Sequence, residues 1–176
     1  MPKSPVRNRN AGKSGALTAT ISCIVALAIT TYFLALPSIT NHQKMAKLHI
    51  DASQLQLAIA NFFSDYNAYP IISPYGDHIG IADAELIHAL NGTNPITNPN
   101  NTVYFNPSQK FLSPNDAFID PWGTPYHVHI DTTFNRRIAN PRPDPDRPEI
   151  PTTVLVYSAG PDRDPTTWQD NIMSWE

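Results

Sequence analysis

The sequence predicts an α+β protein, a long N-terminal helix packed on a small antiparallel β-sheet with long loops. Three observations predict it. Residues 16–36 carry no charge, as a membrane-spanning helix requires. Met45, Leu48, Ala52, Leu55, Ile59 and Phe62 then recur at spacings of three and four, which draws one apolar stripe along a helix. Two short runs, YHVHI (126–130) and TVLVY (153–157), have the alternation or the β-branched content of strands.

The uncharged segment is 21 residues long. As a helix it would rise about 30 Å, the thickness of a bilayer's hydrocarbon core. Lys3, Arg7, Arg9 and Lys13 precede it with no acid among them, while the other 8 basic residues and all 15 acidic ones follow residue 38. The positive-inside rule therefore places 1–13 in the cytoplasm and the long C-terminal part outside, as a single-pass protein. A signal peptide has a shorter apolar region and a small-x-small cleavage site. Here the apolar segment is longer and runs into Leu36-Pro37, so retention is expected. An acidic ectodomain with scattered Arg argues against nucleic acid as a partner. Cys23, the only cysteine, lies inside the apolar segment, which excludes an intramolecular disulfide and any CxxC site.

No Gly or Pro interrupts 38–69, so the helix is expected to continue from the membrane segment, bent at Pro37. The whole rod would run about 50 residues, on the order of 70 Å. Ile50, Leu57 and Phe63 widen the apolar stripe, and Tyr69-Pro70 ends the helix. Residues 71–80 read as loop, ADAELIHAL (82–90) as a short helix with Gly92 at its end, 91–101 as loop and 102–105 as a short strand. Between the two better strands lie Pro141, Pro143, Pro145, Pro148 and Pro151, which predict an exposed, extended hairpin insertion. The tail, 158–176, reads as loop closing on Trp168 and Trp175.

Asp120, Pro121, Trp122, Gly123, Thr124, Pro125 and Tyr126 have the composition of a turn. The prolines fix φ, Gly123 permits positive φ, the aspartate can cap, and Trp122 is expected to pack on the helix stripe. In the tail, Asp162, Asp164, Asp170 and Asn171 put four oxygen-bearing side chains within ten residues. Calcium takes six to eight such oxygens from flexible loops, although no EF-hand pattern is present. His127 and His129 are two residues apart on one strand face, an incomplete metal set that reads as an exposed polar face. The chain contains no HExxH, GxSxG, P-loop or GxGxxG pattern, and no enzyme activity is predicted.

These features together resemble the type IV pilin-like family, most closely the major (G-type) pseudopilin of type II secretion systems. Lys13-Ser14-Gly15 resembles the end of a basic prepilin leader, which makes Ala16 the first mature residue and puts Pro37 where pilin helices bend. FIDPWGTPYHVHID (118–131) is similar to the pseudopilins' Asp-Pro-Trp-Gly-x-Pro-Tyr motif, and VYSAGPDRDPTTWQDNIMSW (156–175) to their closing segment. The likeness covers nearly the whole chain except the Pro-rich insertion, 136–152. Two positions differ from the family's usual pattern: Ala16 stands where Phe is common, and Thr20 where Glu is common.

The resemblance implies a leader at 1–15 removed between Gly15 and Ala16 by a prepilin peptidase, with methylation of the new N-terminus. It implies a membrane and assembly helix at 16–37, its amphipathic extension at 38–69 and a periplasmic globular part at 70–176. The mature subunit would sit in the bacterial inner membrane, polymerise with its own or other pseudopilins, and engage the inner-membrane secretion machinery. Calcium is the cofactor it implies, with Asp162, Asp170 and Asn171 as side-chain ligands and Ser158 as a carbonyl donor. A different class stays open: an uncleaved, membrane-anchored periplasmic binding or adaptor protein on the same scaffold.

Overall fold

A computed structural model describes residues 44–71 and 78–175. The expected leader, the Gly15–Ala16 junction, the apolar segment, Pro37 and the first turns of the extension lie outside the described residues. Among the described residues no helix is long and apolar enough to cross a membrane.

Residues 44–66 form helix α1. Leu48, Ala52, Leu55, Ile59 and Phe62 are all buried, and Met45 packs against them, so the predicted stripe is the core face. Ile50 and Leu57 do not widen it: they are 55% and 60% exposed. Each lies two residues beyond a stripe position, about 200° around a 3.6-residue helix, and so faces the opposite way. Phe63 is intermediate, with its ring stacked on Tyr69 at 4.5 Å. Asn67, at φ 51°, donates its N–H to the Phe63 carbonyl at 2.8 Å and ends the helix before Tyr69-Pro70 is reached.

The described chain is α+β. Strands β1 (His78–Ile81), β2 (His127–Ile130), β5 (Val154–Ser158) and β6 (Ile172–Met173) form one antiparallel sheet in the order β1-β2-β5-β6. Val128, Ile130, Val154, Val156 and Ile172 join the α1 stripe in the main core, with Phe118 and Tyr126. Short helix α2 (Ala84–Leu90) adds Leu86, Ile87 and Leu90; its start is set by Asp83, whose carboxylate accepts the Leu86 N–H at 3.0 Å.

Three local expectations change. Part of 71–80 is strand β1, whose Gly80 and His78 hid a pairing partner for β2. Residues 102–105 form no strand: the buried amide of Asn98 donates to the carbonyls of Ala89 and Thr102, and the N–H groups of Tyr104 and Phe105 go to Leu90. The tail contributes the short edge strand β6.

The Pro-rich insertion is a hairpin, but it is not wholly exposed. Strands β3 (Ile138–Ala139) and β4 (Glu149–Ile150) pair, and Ile138 and Ile150 pack on Leu155 and Trp175 as a second small core. This layer covers the sheet face opposite α1. Consequently the two strand histidines are not an exposed polar face: His129 is 6% exposed, and His127 stacks on Tyr157 at 4.7 Å.

Burial holds the His129 imidazole down at about 4, and the neighbouring His127 and His78 push the same way. Its folded pKa is thus depressed below the ordinary 6.5. The unfolded chain takes up a proton first as pH falls, so this stability is complete above 6.5 and is lost on the way down to about 4. The loss is about 3 kcal/mol. Unfolding free energies measured from pH 7 to pH 4 are expected to drop by that amount, and the slope should flatten in His129→Leu.

Candidate functional site

The two segments that carry the motif resemblance meet at Asp120. The carboxylate, almost fully buried, accepts the N–H groups of Trp122 and Thr124 through Oδ1, both at 2.9 Å. Through Oδ2 it accepts the Ser158 hydroxyl at 2.7 Å. Gly123, at φ 88°, supplies the left-handed residue the turn needs. The turn's apolar anchor is Tyr126 rather than Trp122. Tyr126 is fully buried, stacks on Phe118 at 4.7 Å and points its hydroxyl at Asp51 of α1, 3.5 Å away. Burial and the Asp51 charge push its phenol upward. Trp122 is only partly buried beside the same core. Pro121 is exposed and Pro125 is half-buried.

Ser158 is the hinge between this turn and the closing loop. Its hydroxyl also accepts the Gly160 N–H at 3.1 Å. Gly160 sits at φ 71° with the backbone and carboxyl carbon of Asp170 pressed against it, so a side chain there would strike Asp170. The loop folds on itself. Asp170 Oδ2 accepts the Asp162 N–H at a long 3.4 Å, and the Asn171 amide donates to the Pro165 carbonyl at 3.1 Å. Asp162 also accepts the Asp164 N–H at 2.8 Å and the Thr167 hydroxyl. Asp164 turns away to cap Thr166 at 2.9 Å, and that pairing lowers its pKa.

Three of the four sequence candidates therefore share one folded loop, 162–171, beside Ser158, and Asp164 serves as a local cap. Among the described residues no group of three or more His, Cys, Asp or Glu side chains is gathered as a metal set. The donors here are instead two carboxylates and one amide. Asn171 is 7% exposed, and its side-chain carbonyl Oδ1 is buried with no hydrogen-bond partner. A buried acceptor left unsatisfied costs about 1–3 kcal/mol, and a hard cation would remove that cost. The all-oxygen donor set, the glycine-only cradle at Gly160 and the orphan Oδ1 fit calcium.

Sequence reasoning missed the Ser158–Asp120 bond, which joins residues 38 apart. No periodicity signals such a pairing; the one clue is that both residues stand inside the paired motifs. It also assigned Ser158 only a carbonyl role, whereas its hydroxyl locks the loop to the turn. Comparisons with protein-family models, curated proteins and solved structures found no match to this chain.

Proposed function

We propose that the chain is a pseudopilin-like, non-enzymatic structural subunit of a type II secretion filament, or of a related pilus-like filament, that supports protein export. The observation that carries this reading is the buried bond between Asp120 and Ser158, because it makes the two resembling motifs one structural unit on the helix–sheet core. The uncharged segment 16–36 then stores the subunit in the inner membrane and packs in the filament after the leader is removed at Gly15–Ala16. The 70–176 part faces the periplasm. Its partners are other pseudopilin subunits, the prepilin peptidase and the inner-membrane machinery. Overproduction beside an intact secretion apparatus should yield sheared fibres that an antibody to residues 136–152 decorates. Fibres that never contain the chain would sink the assignment.

Calcium belongs to the same reading. Asp162, Asp170, the Asn171 side-chain carbonyl and the Ser158 backbone carbonyl would hold it. Bound calcium supplies a cross-link between the two ends of the closing loop. A ligand that binds only the folded state raises its stability, by about 2.7 kcal/mol at a hundredfold excess over Kd. The unfolding midpoint is therefore expected to rise with millimolar calcium over chelator, and Asp170→Ala should abolish the rise. No shift in the unaltered chain would remove calcium from the account.

Ala16 and Thr20 favour a second reading. Thr20 offers no carboxylate to neutralise a neighbour's N-terminal ammonium, and an unpaired charge inside an apolar assembly is costly. An uncleaved, membrane-anchored adaptor on the same scaffold would not face that cost.

A further inference from the structure

A cleft of about 410 Å³ opens between α1 and the 104–111 segment. That size lies within the roughly 300–1,000 Å³ of small-ligand sites. Its two sides differ in chemistry. Tyr104, Phe105 and Phe111 line the loop side, and buried Phe118 and Ala58 lie beneath. Gln54 and Asn61 line it from α1, seven residues apart and so on one side of the helix, and Asn106 and Ser108 join them from the loop. Among the described residues, none of these four polar side chains has a hydrogen-bond partner. Asn94, Asn98, Asn135 and Asn140, by contrast, are all committed to holding turns and loops. The aromatic side is fixed in advance. The N–H groups of Tyr104 and Phe105 donate to the Leu90 carbonyl at 2.8 and 3.1 Å, and the Phe105 ring meets Phe118 edge-on at 5.0 Å. Phe111 is held by the Lys47 and Lys110 ammonium groups, 3.9 and 4.7 Å from its ring centre. The lining has two charged residues, Lys47 and Asp51, and they are paired with each other.

We propose that this cleft binds a neutral saccharide of one or two pyranose rings. A pyranose has an apolar C–H face and a rim of hydroxyls, each of which both donates and accepts. The aromatic side matches the face. The amides of Gln54, Asn61 and Asn106 and the hydroxyl of Ser108 match the rim, because each of them also carries both a donor and an acceptor. Rings that the fold already holds in place lose little freedom when a ligand settles on them. An anion would find Lys47 already engaged by Asp51. A Pro-rich peptide also suits aromatic clefts, but its prolines bring no N–H and would leave the three amide oxygens without donors. The cleft stands on the described fold alone, so failure of the filament reading would leave it untouched.

The test uses the full-length chain, purified in a detergent that has no sugar headgroup. Maltose, cellobiose and diacetylchitobiose are offered singly at millimolar concentration, and saturation-transfer NMR from the protein's aromatic protons reads the contact. Transfer to the ring C–H protons of at least one of the three is expected. Asn61→Ala and Asn106→Ala, both at exposed positions, should each weaken its Kd by about three- to tenfold. Asn115→Ala, exposed and outside the cleft, should leave Kd unchanged. No transfer from any of the three sugars would overturn the proposal. So would a Kd that neither cleft variant alters, or one that Asn115→Ala weakens equally. Binding of a hexaproline peptide in place of the sugars would overturn it too, and would assign the cleft to extended peptides.

Discussion

Asp120→Ala is expected to destabilise the globular part by about 3–5 kcal/mol. The carboxylate serves three donors at once: the N–H groups of Trp122 and Thr124 and the hydroxyl of Ser158. Alanine strands all three, and the Ser158 hydroxyl is fully buried, so water cannot replace the lost acceptor. Asp120→Asn keeps an acceptor oxygen and should cost less than half as much. Because Ser158 also holds Gly160, and Gly160 abuts Asp170, the alanine variant should lose part of any calcium response as well. Chemical denaturation of the three proteins side by side gives the comparison. A cost within about 1 kcal/mol for Asp120→Ala would mean that the turn and the closing loop are stable without one another.

Phe62→Ala is the second large effect, at about 3–5 kcal/mol. Phe62 lies fully inside the main core, with ring centroids 4.6 Å from Tyr66 and 5.4 Å from Tyr104. Its removal leaves a cavity between α1 and the 91–105 loop, which Tyr66 helps pin by donating its hydroxyl to Asn98 at 2.7 Å. Leu57→Ala, five residues earlier on the same helix, is expected to change stability by no more than about 0.5 kcal/mol, because its side chain faces solvent in the isolated subunit. Equal costs at the two positions would contradict the assignment of buried and exposed faces.

That contrast also shows what could be read from the residues. The core face of α1 was legible because Leu48, Ala52, Leu55, Ile59 and Phe62 keep helical spacing without interruption. Ile50 and Leu57 were misplaced because apolarity alone does not say which side of a helix meets the fold. The central strands were legible from their alternation, but β1 was not. HIGI carries a glycine and an unfavourable neighbour pattern, and only its pairing with β2 makes it a strand. The insertion's prolines correctly excluded a central strand, yet they concealed that Ile138 and Ile150 would pack on Leu155 and Trp175 as a second small core. At the candidate site the residue types were legible and the connections were not. Asp162, Asp170 and Asn171 could be picked out as oxygen donors, whereas the orphan Asn171 Oδ1 and the Ser158–Asp120 lock depend on contacts far apart in the chain.

The central claim is that residues 16–36 are a processed assembly helix and not a plain anchor, and the N-terminus of the mature protein tests it most directly. The full chain would be expressed in a host that carries a prepilin peptidase, and the membrane-extracted protein measured by mass spectrometry. The account predicts a chain that begins at Ala16, with a methyl group on its new amine. A chain that still carries Lys3, Arg7, Arg9 and Lys13 would contradict it and put the anchored adaptor in its place.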